Sequence, residues 1–210
     1  MQIPDALSSA ANGMRAQSAR LDEIAEDLAN ANTPGYRARV GASAFSQNFA
    51  NTGGASVQGT LRRTDVSTDL ALVGPGYFAI AGAQGVEYTR DGRMLTDAQG
   101  YLCDARGRRV LGSLGGVRLP RGASIRTDGS VISGGRVVDR LRVVDFDNGV
   151  PRRASASVRS GYLEDSGVNP IAEMTRLVGA ERAYEADQKS AQAADESLRR
   201  AAIDVPAVRS

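Results

Sequence analysis

The sequence predicts an α+β chain: long N- and C-terminal helices forming a coiled-coil-like pair, with a small antiparallel all-β domain inserted between them. Three observations lead there: apolar residues recur every seven positions at both ends, the period falls to two in the middle, and Asp-Gly turns punctuate that middle. Composition points the same way. With 24 Gly, no Trp and an aromatic share of only 5% in 210 residues, the chain suits small modules joined by turns better than one large, dense core.

Residues 1–32 form the first element, an assembly helix. Leu7, Met14, Leu21 and Leu28 make one row, and Ile3, Ala10 and Ile24 the neighbouring row, which Gln17 breaks once. Asp22, Glu23, Glu26 and Asp27 are expected on a charged outer face. The helix is predicted to stop at Asn32, because Thr33-Pro34-Gly35 follows: proline disfavours α geometry in the residue before it, and glycine turns freely.

Residues 33–60 read as a linker or arm, rich in Ser, Asn, Gly and Thr from 41 onward. The β domain is expected over 61–160, with strands at Asp69–Val73, Tyr77–Ile80 and Leu141–Phe146. Gly74-Pro75-Gly76 separates the first two. Asp91-Gly92, Asp97 to Gly100, Asp104 to Gly107 and Asp128-Gly129 are spaced like successive hairpin turns, where Asp caps and Gly takes positive φ.

Residues 161–201 make a return segment and the C-terminal assembly helix, and 202–210 a tail. Asn169-Pro170 reads as an N-cap followed by proline in the first helical position. Leu177, Tyr184, Ala191 and Leu198 form one row; Met174, Glu181, Gln188 and Asp195 are expected beside it, making this seam the weaker one. Fully formed, each helix is about 45 Å long at about 1.5 Å per residue. Each presents an apolar stripe that the middle domain is poorly placed to cover, so the stripes either seal against each other or pack among several chains.

The residues present exclude several function classes. His is absent, which removes the commonest general base near neutral pH and the commonest metal ligand. The single cysteine, Cys103, has no disulfide partner and reads as a small buried apolar residue. No run of roughly 18 apolar residues exists to span a membrane. The N-terminus also lacks the basic start and unbroken apolar run of a cleavable secretion signal.

Formal net charge is +2, but it is unevenly spread. Residues 1–32 carry two Arg against five acids, residues 33–160 eighteen Arg against ten acids, and residues 161–210 six bases against nine acids. The ends are acidic and the middle basic, and Lys189 is the only lysine. Arg62-Arg63, Arg106 with Arg108-Arg109, and Arg152-Arg153 could suggest nucleic acid. They are scattered, no aromatics alternate with them, and no recognition motif accompanies them.

Calcium is disfavoured because the Asp-Gly turns lack the alternating carboxylates and closing Glu of a binding loop. Gly74-Pro75-Gly76 is not continued as a phosphate loop. A sugar-cleaving pair of carboxylates needs a cleft and one raised pKa, and the turn positions already explain the central Asp residues. No catalytic, cofactor or metal residues are therefore expected.

The segment Leu28 to Arg37, with Asn30, Asn32, Thr33, Pro34, Gly35 and Tyr36 at its centre, resembles the N-terminal signature of the flagellar basal-body rod protein family. That family also takes in hook and hook-associated axial proteins. Asp69 to Leu72 with Gly76 to Ile80, Tyr88 to Gly92 and Asp97 to Leu102 resemble the same family in the same order. So do Gly161 to Asn169, Glu173-Met174 and Glu181 to Ala186. The central match resembles the proximal and distal rod types, FlgF and FlgG, and Thr33 to Arg37 leans toward FlgF. Asp165-Ser166-Gly167 departs from the usual Ser-Asn approach to Val168-Asn169.

The resemblance implies a non-enzymatic structural subunit of the rod, polymerising through its terminal helices into the axial drive shaft for motility. Its implied partners are copies of itself, other rod and hook axial proteins and the flagellar type III export apparatus. No nucleic acid, membrane insertion, small-molecule substrate or cofactor is implied. The implied location is the periplasmic part of the basal body, reached without a cleaved signal. Alternatives are a hook or hook-associated axial protein, then a cell-wall hydrolase or an anionic-polymer-binding module. On this reading the assembly interface holds Ile3, Leu7, Ala10, Met14, Leu21, Ile24, Leu28, Met174, Leu177, Tyr184, Ala191 and Leu198.

Overall fold

The computed structural model describes residues 3–37, 58–147 and 150–203, with side chains described over 8–37, 58–146 and 150–200. Most of the expected arm, residues 38–57, and the end of the expected tail, 204–210, lie outside the described residues. The chain divides into a helical unit, residues up to Ala29 and from Asn169, and a β unit, Asn30–Val168.

The helical unit consists of α1 (Ile3–Ala29) and α2 (Pro170–Ile203). The cap expected before α2 is present: the Asn169 side-chain oxygen accepts from the N–H groups of Ile171 at 3.1 Å and Ala172 at 3.3 Å, and Pro170 opens the helix. Asn169→Ala is expected to destabilise the helical unit by about 1 kcal/mol, read from thermal loss of helical circular dichroism. The two helices lie against each other. Gly13 faces Asp187, and a Cβ on Gly13 would stand only 2.7 Å from the Asp187 Oδ2.

Helix α1 stops at Ala29, three residues short of the expected Asn32. The reason is local competition for the backbone: Thr33 N–H bonds back to the Asn30 carbonyl at 3.0 Å, and the Thr33 hydroxyl donates to the Asn30 side-chain oxygen at 3.2 Å. Pro34 then keeps Thr33 out of α geometry.

Among the described residues the β unit holds thirteen strands: β1 (Leu61–Arg63), β2 (Leu70–Val73), β3 (Tyr77–Gly82), β4 (Gly85–Thr89), β5 (Met94–Thr96), β6 (Leu102–Asp104), β7 (Ser124–Ile125), β8 (Ser130–Ser133), β9 (Arg136–Arg140), β10 (Val143–Asp147), β11 (Val150–Arg153), β12 (Ser157–Ser160) and β13 (Tyr162–Glu164). They pair antiparallel in small sheets: β11-β10-β3-β4, β7-β8-β9, β5-β6, β12-β2 and β1-β13. Leu70, Leu72, Phe78, Ile80, Met94 and Leu102 from the first half pack with Val110, Val117, Val131, Leu141 and Val158 from the second. One core therefore ties four of the five small sheets together, the β1-β13 pair contributing no residue to it, since no pair of strands alone buries enough apolar surface to stand.

The strand expected from Leu141 starts two residues later. Leu141 N–H goes to the Gly129 carbonyl and Arg142 N–H to that of Leu111, so these N–H groups are engaged elsewhere, and only the Arg142 carbonyl, which accepts from Ala79, reaches β3 before β10 begins. Asp97, Asp104 and Asp128 act as turn caps, accepting from the N–H groups of Gln99, Arg106 and Ser130 respectively. Asp91-Gly92 is different. It joins β4 to β5, which belong to separate sheets, and Gly92 has no positive φ.

Candidate functional site

The sequence pointed to the two helical rows as the place where function resides. On α1, Ala10 and Ile24 are buried, while Met14, Leu21 and Leu28 are half-buried and Gln17 sits among them as expected. Ile3 and Leu7 belong to the first turns of α1, and their side chains lie outside the described residues. Asp27 corrects the expected outer face: Asp22 and Glu26 are exposed, but Asp27 is buried. A charged run of this length spans more than one face of a helix, so one member is carried inward.

On α2, Leu177, Ala191 and Leu198 are half-buried, and Tyr184 lies at the rim with 36% exposure. The row expected beside it is exposed in the single chain. Met174 is 58% exposed, and Glu181, Gln188 and Asp195 all face solvent. The inward row is Glu173, Ala180, Asp187 and Ala194, which stands three residues after the Leu177 row rather than three before it. Both offsets continue a seven-residue repeat, and the inner one carries Ala180 and Ala194, whose small side chains permit close approach of the helices, alongside Glu173 and Asp187. The inner rows carry polar flaws. Gln17 Oε1 and Glu173 Oε2 are buried acceptors without a hydrogen-bond donor among the described residues.

A second site was not foreseen as a site. Within the β unit, three segments that carry the family resemblance converge on Glu164. Its carboxylate receives Arg90 Nε at 2.7 Å and Arg37 Nε at 3.4 Å, and its backbone carbonyl receives the N–H of Gly35 at 2.7 Å. The Arg90 guanidinium also donates to the carbonyls of Leu72 at 2.9 Å, Gly74 at 2.8 Å and Gly76. Arg90 and Glu164 are both almost wholly buried. Burial pulls the Arg90 guanidinium below its ordinary value, and the Glu164 carboxylate opposes that pull.

Gly35 shows why the loop after α1 needs glycine. Its φ is +70°, and a Cβ there would overlap the Arg90 backbone carbonyl. Gly167 N–H closes the same knot on the Tyr36 carbonyl at 2.9 Å. Pro34 and Gly35 are therefore buried, Asn30, Thr33 and Tyr36 half-buried, and Asn32 exposed. The Gly-Pro-Gly turn, β13 and the loop from Thr33 to Arg37 are held by one charged hub. A carboxylate enclosed by two guanidiniums and shut off from solvent fixes geometry and offers nothing to a substrate.

The arginines considered for nucleic acid are largely engaged within the chain. Arg62 pairs with Asp165 at 3.1 Å, Arg63 with Asp65 at 2.5 Å, and Arg109 lies 4.1 Å over the Tyr101 ring. Arg108 bridges Asp104 and Glu87. Burial alone would raise the Asp104 carboxyl, but the side-chain and backbone bonds from Arg108 and Arg106 outweigh it and hold that carboxyl below its ordinary value. The linked stability is present above the unfolded value, about 3.9, and is lost as pH falls through the lower folded value. Between about pH 5 and pH 2 the urea midpoint of the parent chain is expected to fall more steeply than that of Asp104→Asn. Cys103 is buried as expected, and burial pushes its thiol up.

Comparison with known proteins covers both ends and the centre. A family model for flagella basal body rod protein matches residues 7–37, one for the flagellar hook protein FlgE/F/G D1 domain matches 71–133, and one for the C-terminal part of flagellar basal body rod FlgEFG protein matches 159–204. The flagellar basal-body rod protein FlgF of Mesorhizobium japonicum is 31% identical, over 94% of this chain and 98% of its own length. The rod protein FlgG of Bacillus subtilis is 27% identical over 91% of this chain and 96% of its own. The flagellar hook protein FlgE of Rhizobium meliloti is 37% identical over 53% of this chain and 31% of its own.

Proposed function

The chain belongs to the flagellar basal-body rod protein family, FlgF type, a structural and non-enzymatic family of the flagellar basal body, and from that premise we propose that it polymerises through α1 and α2 into the axial shaft of the rod. The two helices pair as a coiled coil, and their remaining apolar surface is covered by helices of neighbouring subunits, either copies or other rod and hook axial proteins. The subunit leaves the cell through the flagellar export apparatus and works in the periplasm. Its mechanical role is passive: burial between helices of adjacent chains resists torsion.

One observation carries this reading. Met14, Leu21, Leu28, Leu177, Ala191 and Leu198 are only half-buried when α1 and α2 have no other company, so the seam is incompletely covered within one chain. Fully burying such a leucine contributes about 1.5–3 kcal/mol, much of it still to be gained from a neighbour. The residues of the hub around Glu164 support the reading from the other unit, by fixing the course of the chain as it leaves Thr33 and returns at Val168.

Leu21→Asp places a charge in that seam. The expected result is loss of the chain from purified hook-basal bodies and loss of swimming, with the β unit still folded by chemical denaturation. Normal swimming by this variant would overturn the proposal.

A further inference from the structure

The outer face of α2 has a shape that pairing with α1 leaves unexplained. Ile171, Met174 and Val178 stand on one side of the helix, spaced by three and four residues, with exposures of 79%, 58% and 47%. They form a ridge of large apolar side chains in water. Beside the ridge runs a groove: Ala172, Gly179, Ala186 and Ala193 repeat every seven residues, and all are exposed. Gly179 weakens the middle of a helix, yet a Cβ there would meet nothing within 4 Å, so its own chain supplies no steric reason for glycine.

Charge follows the same division. Glu181 and Glu185 border the ridge, while Arg182 and Lys189 border the groove. All four are exposed, and none has an ion-pair partner among the described residues. One helix thus carries a bulky ridge edged with acid and a shallow groove edged with base. A second copy of the same helix supplies the complement of both.

We propose that α2 docks on α2 of a second copy of this chain, the ridge of one lying in the groove of the other; this rests on the rod-subunit reading above and names an interface within it. Two parallel helices displaced by about 12 Å, or eight residues, bring Ile171 onto Gly179, Val178 onto Ala186 and Glu181 beside Lys189. The contact is head-to-tail. It leaves one ridge and one groove free at the ends, so it repeats into an open helical array instead of closing as a dimer.

The test uses the full chain carrying Cys103→Ser, with Ile171→Cys and Gly179→Cys together or singly, assembled in the cell and oxidised. Disulfide-linked multimers of the chain are expected in purified hook-basal bodies from the double variant, and monomers from each single variant. Monomers alone from an incorporated double variant, or a cross-link only to a different protein, would overturn the α2–α2 contact and leave the rod reading standing. Absence of the unmodified chain from basal bodies would overturn both.

Gly179→Leu guards against a cysteine pair that fails to assemble. Space around Gly179 is open in the single chain, so helical circular dichroism should be kept or increased. Incorporation and swimming should nevertheless be lost, because leucine fills the groove. Unchanged incorporation of Gly179→Leu would overturn the proposal.

Discussion

Replacing Glu164 by leucine while Arg90 stays in place is expected to lower the unfolding free energy of the β unit by about 3–5 kcal/mol. Among the described residues the carboxylate is the only anion that bonds the Arg90 guanidinium, and both groups are almost wholly buried. Without it, Arg90 holds an uncompensated charge in the interior, and its bonds to the Leu72, Gly74 and Gly76 carbonyls do not neutralise that charge. Exposed pairs of the same chain make the comparison. Arg63 and Asp65 are both mostly solvated, and Arg63→Ala, which leaves the positive-φ backbone of Asp65 untouched, should cost no more than about 1 kcal/mol. Urea unfolding followed by tyrosine emission reads both, since the chain has 6 Tyr and no Trp. A cost for Glu164→Leu as small as that for Arg63→Ala would show that the hub does not hold the β unit together.

The parts of this molecule legible in the sequence are those governed by local rules. The period of seven located α1 and α2, Asn169-Pro170 located the start of α2 to the residue, and Asp97, Asp104 and Asp128 announced their turns because each binds a backbone N–H two positions ahead. Choosing the inner face of α2 was harder. The rows on both sides of Leu177 mix apolar with polar residues, and only contact with α1 selects Ala180 and Ala194 over Met174 as the row buried within the chain. The Glu164 hub was invisible because its members are separated by 74 and 127 positions from their partners Arg90 and Arg37. No periodicity connects residues that meet only through tertiary folding. Their one signal was indirect: the resemblance motifs recurred in three places, and the structure brings those three places together.

Gly92 illustrates the same limit at a single residue, and Gly92→Ala is expected to destabilise the β unit by about 3 kcal/mol. Its sequence context, Asp91-Gly92, promises a turn in which glycine supplies positive φ, yet its φ is not positive. What demands glycine is proximity: Gly92 carbonyl accepts the N–H of Leu70 at 2.9 Å, and a Cβ on Gly92 would overlap the Leu70 carbonyl oxygen. A side chain in the way could rotate aside, whereas a backbone oxygen can move only with its strand. Leu70 and Leu72 of that strand are buried in the core, so displacing β2 opens the packing around Phe78 and Met94 and breaks the bond to Gly92. Gly107 is the contrast. It has φ of +78° and open space around the Cβ position, so Gly107→Ala meets only the backbone preference, about 1–2 kcal/mol. Urea midpoints of the two variants separate the mechanisms: Gly92→Ala should fall well below Gly107→Ala. Equal midpoints would mean that β2 yields without disturbing the core, and that close approach is not what keeps alanine from this position.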